Sequence, residues 1–204
     1  MIATRRHWIL AVAVLGLAAG CSRPPPIKGT FVLEPAMPPA AAKAHPGILR
    51  IGSFTVSAPY RGRQLVFRES ELKFETDYYN EFLVAPGANI GEATARALAA
   101  AKVFASVVPT SVTLDPDFIL DGFVGALYGD GRNMDKPDAV ISITYFLRRQ
   151  AGDLGVPMWT RTYERRIPFT TGSANAYVTA LNTGLSEILA ELAKDLSAGS
   201  FTAR

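Results

Sequence analysis

The first 21 residues constrain this chain more than any other stretch. Arg5 and Arg6 precede an uncharged apolar run over residues 8–17 (WILAVAVLGL), the small residues Ala18, Ala19 and Gly20 follow, and Cys21 is the single cysteine in 204 residues. The run is too short to span about 30 Å of hydrocarbon, which takes roughly 20 apolar residues. It is long enough for the core of an export signal. A positive start, an apolar centre and small residues before a lone cysteine make a lipobox-like site, although Leu17 lies four residues before the cysteine and Ala18 takes the place three before. We read residues 1–20 as a lipoprotein signal peptide and Cys21 as the lipid anchor, its thiol carrying diacylglyceryl and the new N-terminus a palmitate-type acyl chain. The alternative is an ordinary secretory signal cleaved near Ala19, which leaves a thiol without a disulfide partner. Ser22 follows the anchor. By analogy with enteric bacteria, where aspartate there marks inner-membrane retention, serine predicts the periplasmic face of the outer membrane.

Without the leader, 184 residues remain. The leader holds two of the 21 Lys and Arg and none of the 18 Asp and Glu, which leaves 19 basic against 18 acidic side chains and a mature charge of +1. No basic excess points to nucleic acid. The length fits one domain with a sizeable core, and no second apolar run approaches a membrane span.

The organisation follows from composition and period. Pro24, Pro25 and Pro26 favour extended polyproline II and read as a tether. Residues 30–33 form a small strand candidate, and a second irregular, Pro- and Ala-rich stretch runs to Pro46. Residues 48–58, 64–68 and 72–75 are strand-like, the last two forming a hairpin. Ile90, Thr94, Ala97, Ala101 and Phe104 recur on one helical face and predict a helix over residues 90–104. Residues 111–114 with 118–128 read as a strand interrupted at Asp115-Pro116-Asp117. Residues 139–149 alternate cleanly, and residues 158–169 pair with them. A final amphipathic helix runs from an N-cap at Ser173 to a stop at Gly199, with Tyr177, Leu181, Leu185, Ile188, Leu192 and Leu196 on its apolar stripe. The expected fold is α+β: a mainly antiparallel sheet with two helices packed on one face. Its divisions are a signal peptide (1–20), a lipidated N-terminus with Pro-rich tether and short first strand (21–46), and the α+β domain (47–199).

Catalytic chemistry is sparse. The mature chain has one histidine, His45, in an irregular segment, which is poorly placed to serve a nucleophile. The His and Cys inventory cannot supply an ordinary zinc site, and no cofactor is expected. Gly129-Asp130-Gly131 lacks a following Lys-Ser/Thr and reads as a turn. Asp115 and Asp117 flank a proline, as turn residues do. Arg148 and Arg149, set against Arg161, Arg165 and Arg166 across the late hairpin, read as solvated arginines balanced by Glu164 and Asp153 in preference to a basic binding patch. An enzyme is not expected.

Ala58-Pro59-Tyr60, then Gln64-Leu65-Val66-Phe67-Arg68, then Tyr78-Tyr79-Asn80-Glu81-Phe82 leading to Ala85-Pro86 and a helix resemble the ABC-type transport auxiliary lipoprotein family, which includes the lipoprotein of the paraquat-inducible system. Phe82 stands where that family often has tryptophan. The likeness extends over most of residues 30–197 and brings no catalytic signature. It implies a lipid-anchored accessory subunit that works with an MCE (mammalian cell entry) protein and an ABC permease and ATPase to move lipids between the two membranes. A homo-oligomer is a further expectation. Exposed aromatics would make the partner contact, with Tyr78, Tyr79 and Phe82 as candidates. The rival reading is a structural or assembly lipoprotein of the envelope acting by protein contacts alone, and a periplasmic hydrolase ranks third.

Overall fold

The long apolar and alternating runs late in the chain form the centre of the sheet. In the computed structural model, which describes residues 28–112, 115–150, 156–170 and 172–202, β6 (Phe118–Asp130), β7 (Asp138–Arg149) and β8 (Trp159–Pro168) make an antiparallel meander. Ile141, Ile143, Tyr145 and Leu147 point to the core at 0% exposure, as strict alternation requires. On its other edge β6 carries two strands end to end. β2 (His45–Val56) runs parallel beside residues 118–124, and β3 (Gln64–Arg68) beside residues 129–130. The 3₁₀ turn Ala58–Tyr60 lies between them. β5 (Phe104–Val108) pairs parallel with β2, while β4 (Phe74–Phe82) pairs antiparallel with β3 and parallel with the short β1 (Gly29–Phe31). The result is one open, mixed sheet in which the long ladders are mostly antiparallel.

Both helices lie on one face. α1 (Pro86–Ala101) packs on β2 and β5, α2 (Ala174–Ala198) packs on β7 and β8, and the two helices touch. Two ring neighbours on that face tie them down. Tyr145 reaches Thr94 of α1 (O···O 3.4 Å), and Tyr163 donates to Asp195 of α2 at 2.6 Å. Ser173 caps α2 by accepting from the Ala176 N–H at 3.1 Å, and Gly199 follows its last turn. The apolar stripe from Tyr177 to Leu196 is fully buried. Phe54 is paired with Gly122 on the neighbouring strand, and a Cβ on Gly122 would come within 2.4 Å of its ring, so glycine there makes room for the ring in its present position.

Three expectations are corrected, on the bounds of α1, the reach of β4 and the strand at residues 111–114. α1 starts at Pro86 and ends at Ala101, because Pro86 takes the first helical turn and Lys102 turns left-handed (φ 53°). Phe104 therefore opens a strand, β5, instead of closing the helix. β4 reaches Phe82, well past residue 75. Residues 111 and 112 lie outside any strand, and 113–114 lie outside the described residues. Residues 32–44 have no regular structure, yet they are part of the domain, with Leu33, Pro35 and Pro38 buried. Leu33 is held by Asn89, the Glu34 N–H donates to Asn182 Oδ1 at 2.7 Å, and the Ala36 N–H donates to Ser186 Oγ at 2.9 Å. This strap crosses both helices.

Candidate functional site

The aromatic stretch that carries the family resemblance sits on β4, and its course is irregular. Gln64 pairs with Glu81 and Val66 with Thr76, so a single residue of β3, Leu65, faces residues 77–80 of β4. The surplus residues bulge outward. Asp77 stitches the bulge closed: Oδ1 accepts from the N–H groups of Tyr79 (2.8 Å) and Asn80 (3.0 Å), and Oδ2 accepts from Asn80 Nδ2 (2.8 Å). Gly29 of β1 lies against the same amide, where a Cβ would meet Asn80 Oδ1 at 2.5 Å.

The bulge displays two of the three predicted contact residues and withdraws the third. Tyr78 is 75% and Tyr79 46% exposed, and their rings stand edge-on with centroids 5.1 Å apart. Lys28 Nζ lies 5.3 Å from the Tyr78 ring centre. Phe82 is 2% exposed and belongs to the core, so it offers a partner no surface. Period-two reasoning places Tyr78 and Phe82 on the same face. The bulge between them breaks that parity. Behind it, a groove of ≈ 390 Å³ opens between β3, β4 and the first turn of α2, with Phe67, Thr76, Asn80, Met134, Phe169 and Ala174 on its walls.

The remaining sequence candidates are structural. His45 opens β2, is 3% exposed, donates from Nε2 to the Leu196 carbonyl at 2.9 Å and packs between Phe104 and Phe201. Asp117 joins β6 to β2, its Oδ2 accepting from the Ile48 N–H at 2.8 Å and its own N–H donating to the Ile48 carbonyl at 3.0 Å. Asp130, expected in a turn, ends β6 as the hub of an ion-pair cluster. Arg132 binds it at 2.8 Å, Arg166 also contacts it, and Arg132 reaches on to Glu71. Arg132 holds the Asp130 carboxyl well below the usual carboxylate range, more than offsetting the opposing effect of burial, and Arg166 adds to the depression.

The arginines of the late hairpin are not arrayed against one another. Arg161 faces Tyr145, Arg165 faces Ile141 and Arg166 faces Val140. Arg148 pairs with Asp121 (2.9 Å), Arg161 with Asp195 (2.9 Å), and Arg165 with Glu187 and Glu191. Neutralisation thus comes mainly from β6 and α2. Glu164 contributes only a 3.9 Å contact to Arg166, and Asp153 lies outside the described residues. Among the described residues no helix is long and apolar enough to cross a membrane, and no group of three or more His, Cys, Asp or Glu side chains could hold a metal ion. Cys21 and the leader lie outside the described residues.

Fold and site together define a single α+β domain with a split sheet edge, two helices on one face and a protruding tyrosine pair. No protein-family model and no curated protein matches the sequence. The fold is that of protein XCC0632 from Xanthomonas campestris, of the family designated DUF330, with a TM-score of 0.70 at 14% identity over 80% of this chain and 92% of that one. An uncharacterized protein shares it with a TM-score of 0.65 at 16% identity, over 83% of this chain and 99% of that one. At these identities the likeness is one of fold.

Proposed function

We propose that this chain is a lipoprotein anchored by Cys21 to the outer membrane, serving as an accessory subunit of an MCE-type ABC system that moves lipids between the membranes. The observation that carries the reading is that the fold likeness and the motif likeness fall on the same part of the chain. The DUF330 fold, that of the paraquat-inducible lipoprotein family, extends over 92% of the solved XCC0632 chain. The sequence motifs that resemble the auxiliary lipoproteins fall within one contiguous part of that fold. Ala58–Tyr60 is the 3₁₀ turn, with Tyr60 stacked on Tyr128 at 5.7 Å, Gln64–Arg68 is β3, residues 78–82 end β4, and Pro86 opens α1. The motif thus records how the sheet edge is built, which is what a family with a common scaffold and no shared catalytic group would keep.

In this reading the protein works by binding. The lipid holds the domain at the membrane, the short proline-containing tether limits its reach, and the sheet and helices present surfaces to an MCE protein extending from an inner-membrane permease and ATPase. Retention of the genomically neighbouring MCE protein by the tagged, lipidated chain is the test.

A further inference from the structure

Tyr78 and Tyr79 stand where the chain leaves the domain toward Cys21. Lys28, the first described residue, lies over the Tyr78 ring, and Gly29 pairs with Asn80 beside the bulge. Only residues 22–27 separate Lys28 from the cysteine. Even fully extended at about 3.6 Å per residue, those seven steps place Lys28 no more than about 25 Å from the anchoring thiol residue. The bulge is therefore held within a few nanometres of the bilayer that accepts the lipid, a confinement that makes even weak surface contacts frequent.

The chemistry of the tip suits that neighbour. Tyrosine carries an apolar ring and a polar hydroxyl, the combination that collects in the headgroup layer of membranes. Lys28, exposed and with its Nζ 5.3 Å from the Tyr78 ring centre, adds a positive charge beside the rings, favourable toward anionic headgroups. The acidic groups beside it are engaged: Asp77 by the N–H groups of Tyr79 and Asn80, and Glu81 by Arg63 at 2.9 Å. The Asp77 stitching also fixes the display before any contact is made, which lowers the ordering cost of binding.

We propose that the Tyr78–Tyr79 bulge is the membrane-seated tip of the domain, placing both rings in the headgroup layer of the leaflet that holds the lipid on Cys21. This rests on the anchored reading given above and reassigns the two tyrosines from a protein partner to the lipid surface.

The test uses the lipidated full chain reconstituted in vesicles of phosphatidylethanolamine and phosphatidylglycerol, with plain or brominated acyl chains. Tyr78→Trp and Tyr79→Trp report on the tip. Leu72→Trp, at the turn between β3 and β4 and 94% exposed in the parent, reports on the far end of that hairpin. Each is read as the difference from the parent, which keeps Trp159. Both tip reporters should shift to the blue and lose intensity in brominated vesicles, while Leu72→Trp keeps its emission. Tip reporters that ignore the bromolipid on vesicles to which the parent floats overturn the inference, as does stronger quenching of Leu72→Trp. Emission that responds to added MCE protein and not to bromolipid assigns the bulge to protein contact. A parent that fails to float defeats the anchored reading itself and the inference with it, a failure distinguished by the flotation step.

Discussion

The side-chain amide of Asn89 satisfies both backbone groups of Leu33: its Oδ1 accepts from the Leu33 N–H at 2.8 Å, and its Nδ2 donates to the Leu33 carbonyl at 3.0 Å. Asn89 is 5% exposed and Leu33 is fully buried, so water cannot take over either bond. One amide on the first turns of α1 thus does for the strap what a neighbouring strand would do. Asn89→Ala leaves two buried backbone groups unpaired, at roughly 1–3 kcal/mol each. We expect a total loss of about 2–4 kcal/mol, read as a lower urea midpoint at unchanged slope.

The strap also shows where sequence reasoning stops. Residues 32–44 carry no period, and their order comes from Asn89, Asn182 and Ser186, far along the chain. Elements whose order is local were legible: the alternation of β7 and the Ser173 cap and Gly199 stop of α2 appear where expected. The start of α1 had a readable signal in Pro86, a proline at the first helical position. Its end had none, because Lys102 takes the left-handed conformation usually left to glycine. Phe104 continued the helical spacing, and β5 stayed hidden behind it. At the site, Tyr78 and Tyr79 could be picked out as aromatics. That Phe82 is core could not be read, since it depends on a bulge stitched by Asp77.

Leu185 and Leu192 lie mid-stripe on α2 with no exposed surface. Truncating either to alanine removes buried methyl groups and leaves a cavity against the sheet, at about 2–5 kcal/mol each. Both variants should melt well below the parent in thermal unfolding followed by circular dichroism.

Acid should weaken the fold through Asp130. Its folded-state carboxyl is held below the ordinary range, so the unfolded chain takes up that proton more readily. The contribution is complete above the ordinary aspartate value of about 3.9 and fades as the pH falls below it toward the folded value. Asp130→Asn removes the charge that Arg132 and Arg166 share, at about 2 kcal/mol near neutral pH, as expected for hydrogen bonds to charged groups. Urea unfolding should show that difference at pH 7 and a smaller one at pH 3.

Cys21→Ser should release the protein from membranes or leave its leader uncleaved, because several acyl chains are needed for firm anchoring and a single one holds only marginally. Intact-mass measurement of the processed parent should find the added lipid on Cys21. A processed species without it contradicts the anchor.

Co-purification tests directly whether this chain serves an MCE transporter, as proposed. The tagged, lipidated chain is extracted in mild detergent at low salt together with its genomic MCE neighbour. The account predicts that the wild-type protein retains the MCE protein, and that a chain unfolded by Leu185→Ala and Leu192→Ala together does not. Failure of the folded wild-type protein to retain any MCE protein under these conditions would contradict the claim and favour a structural lipoprotein of the envelope.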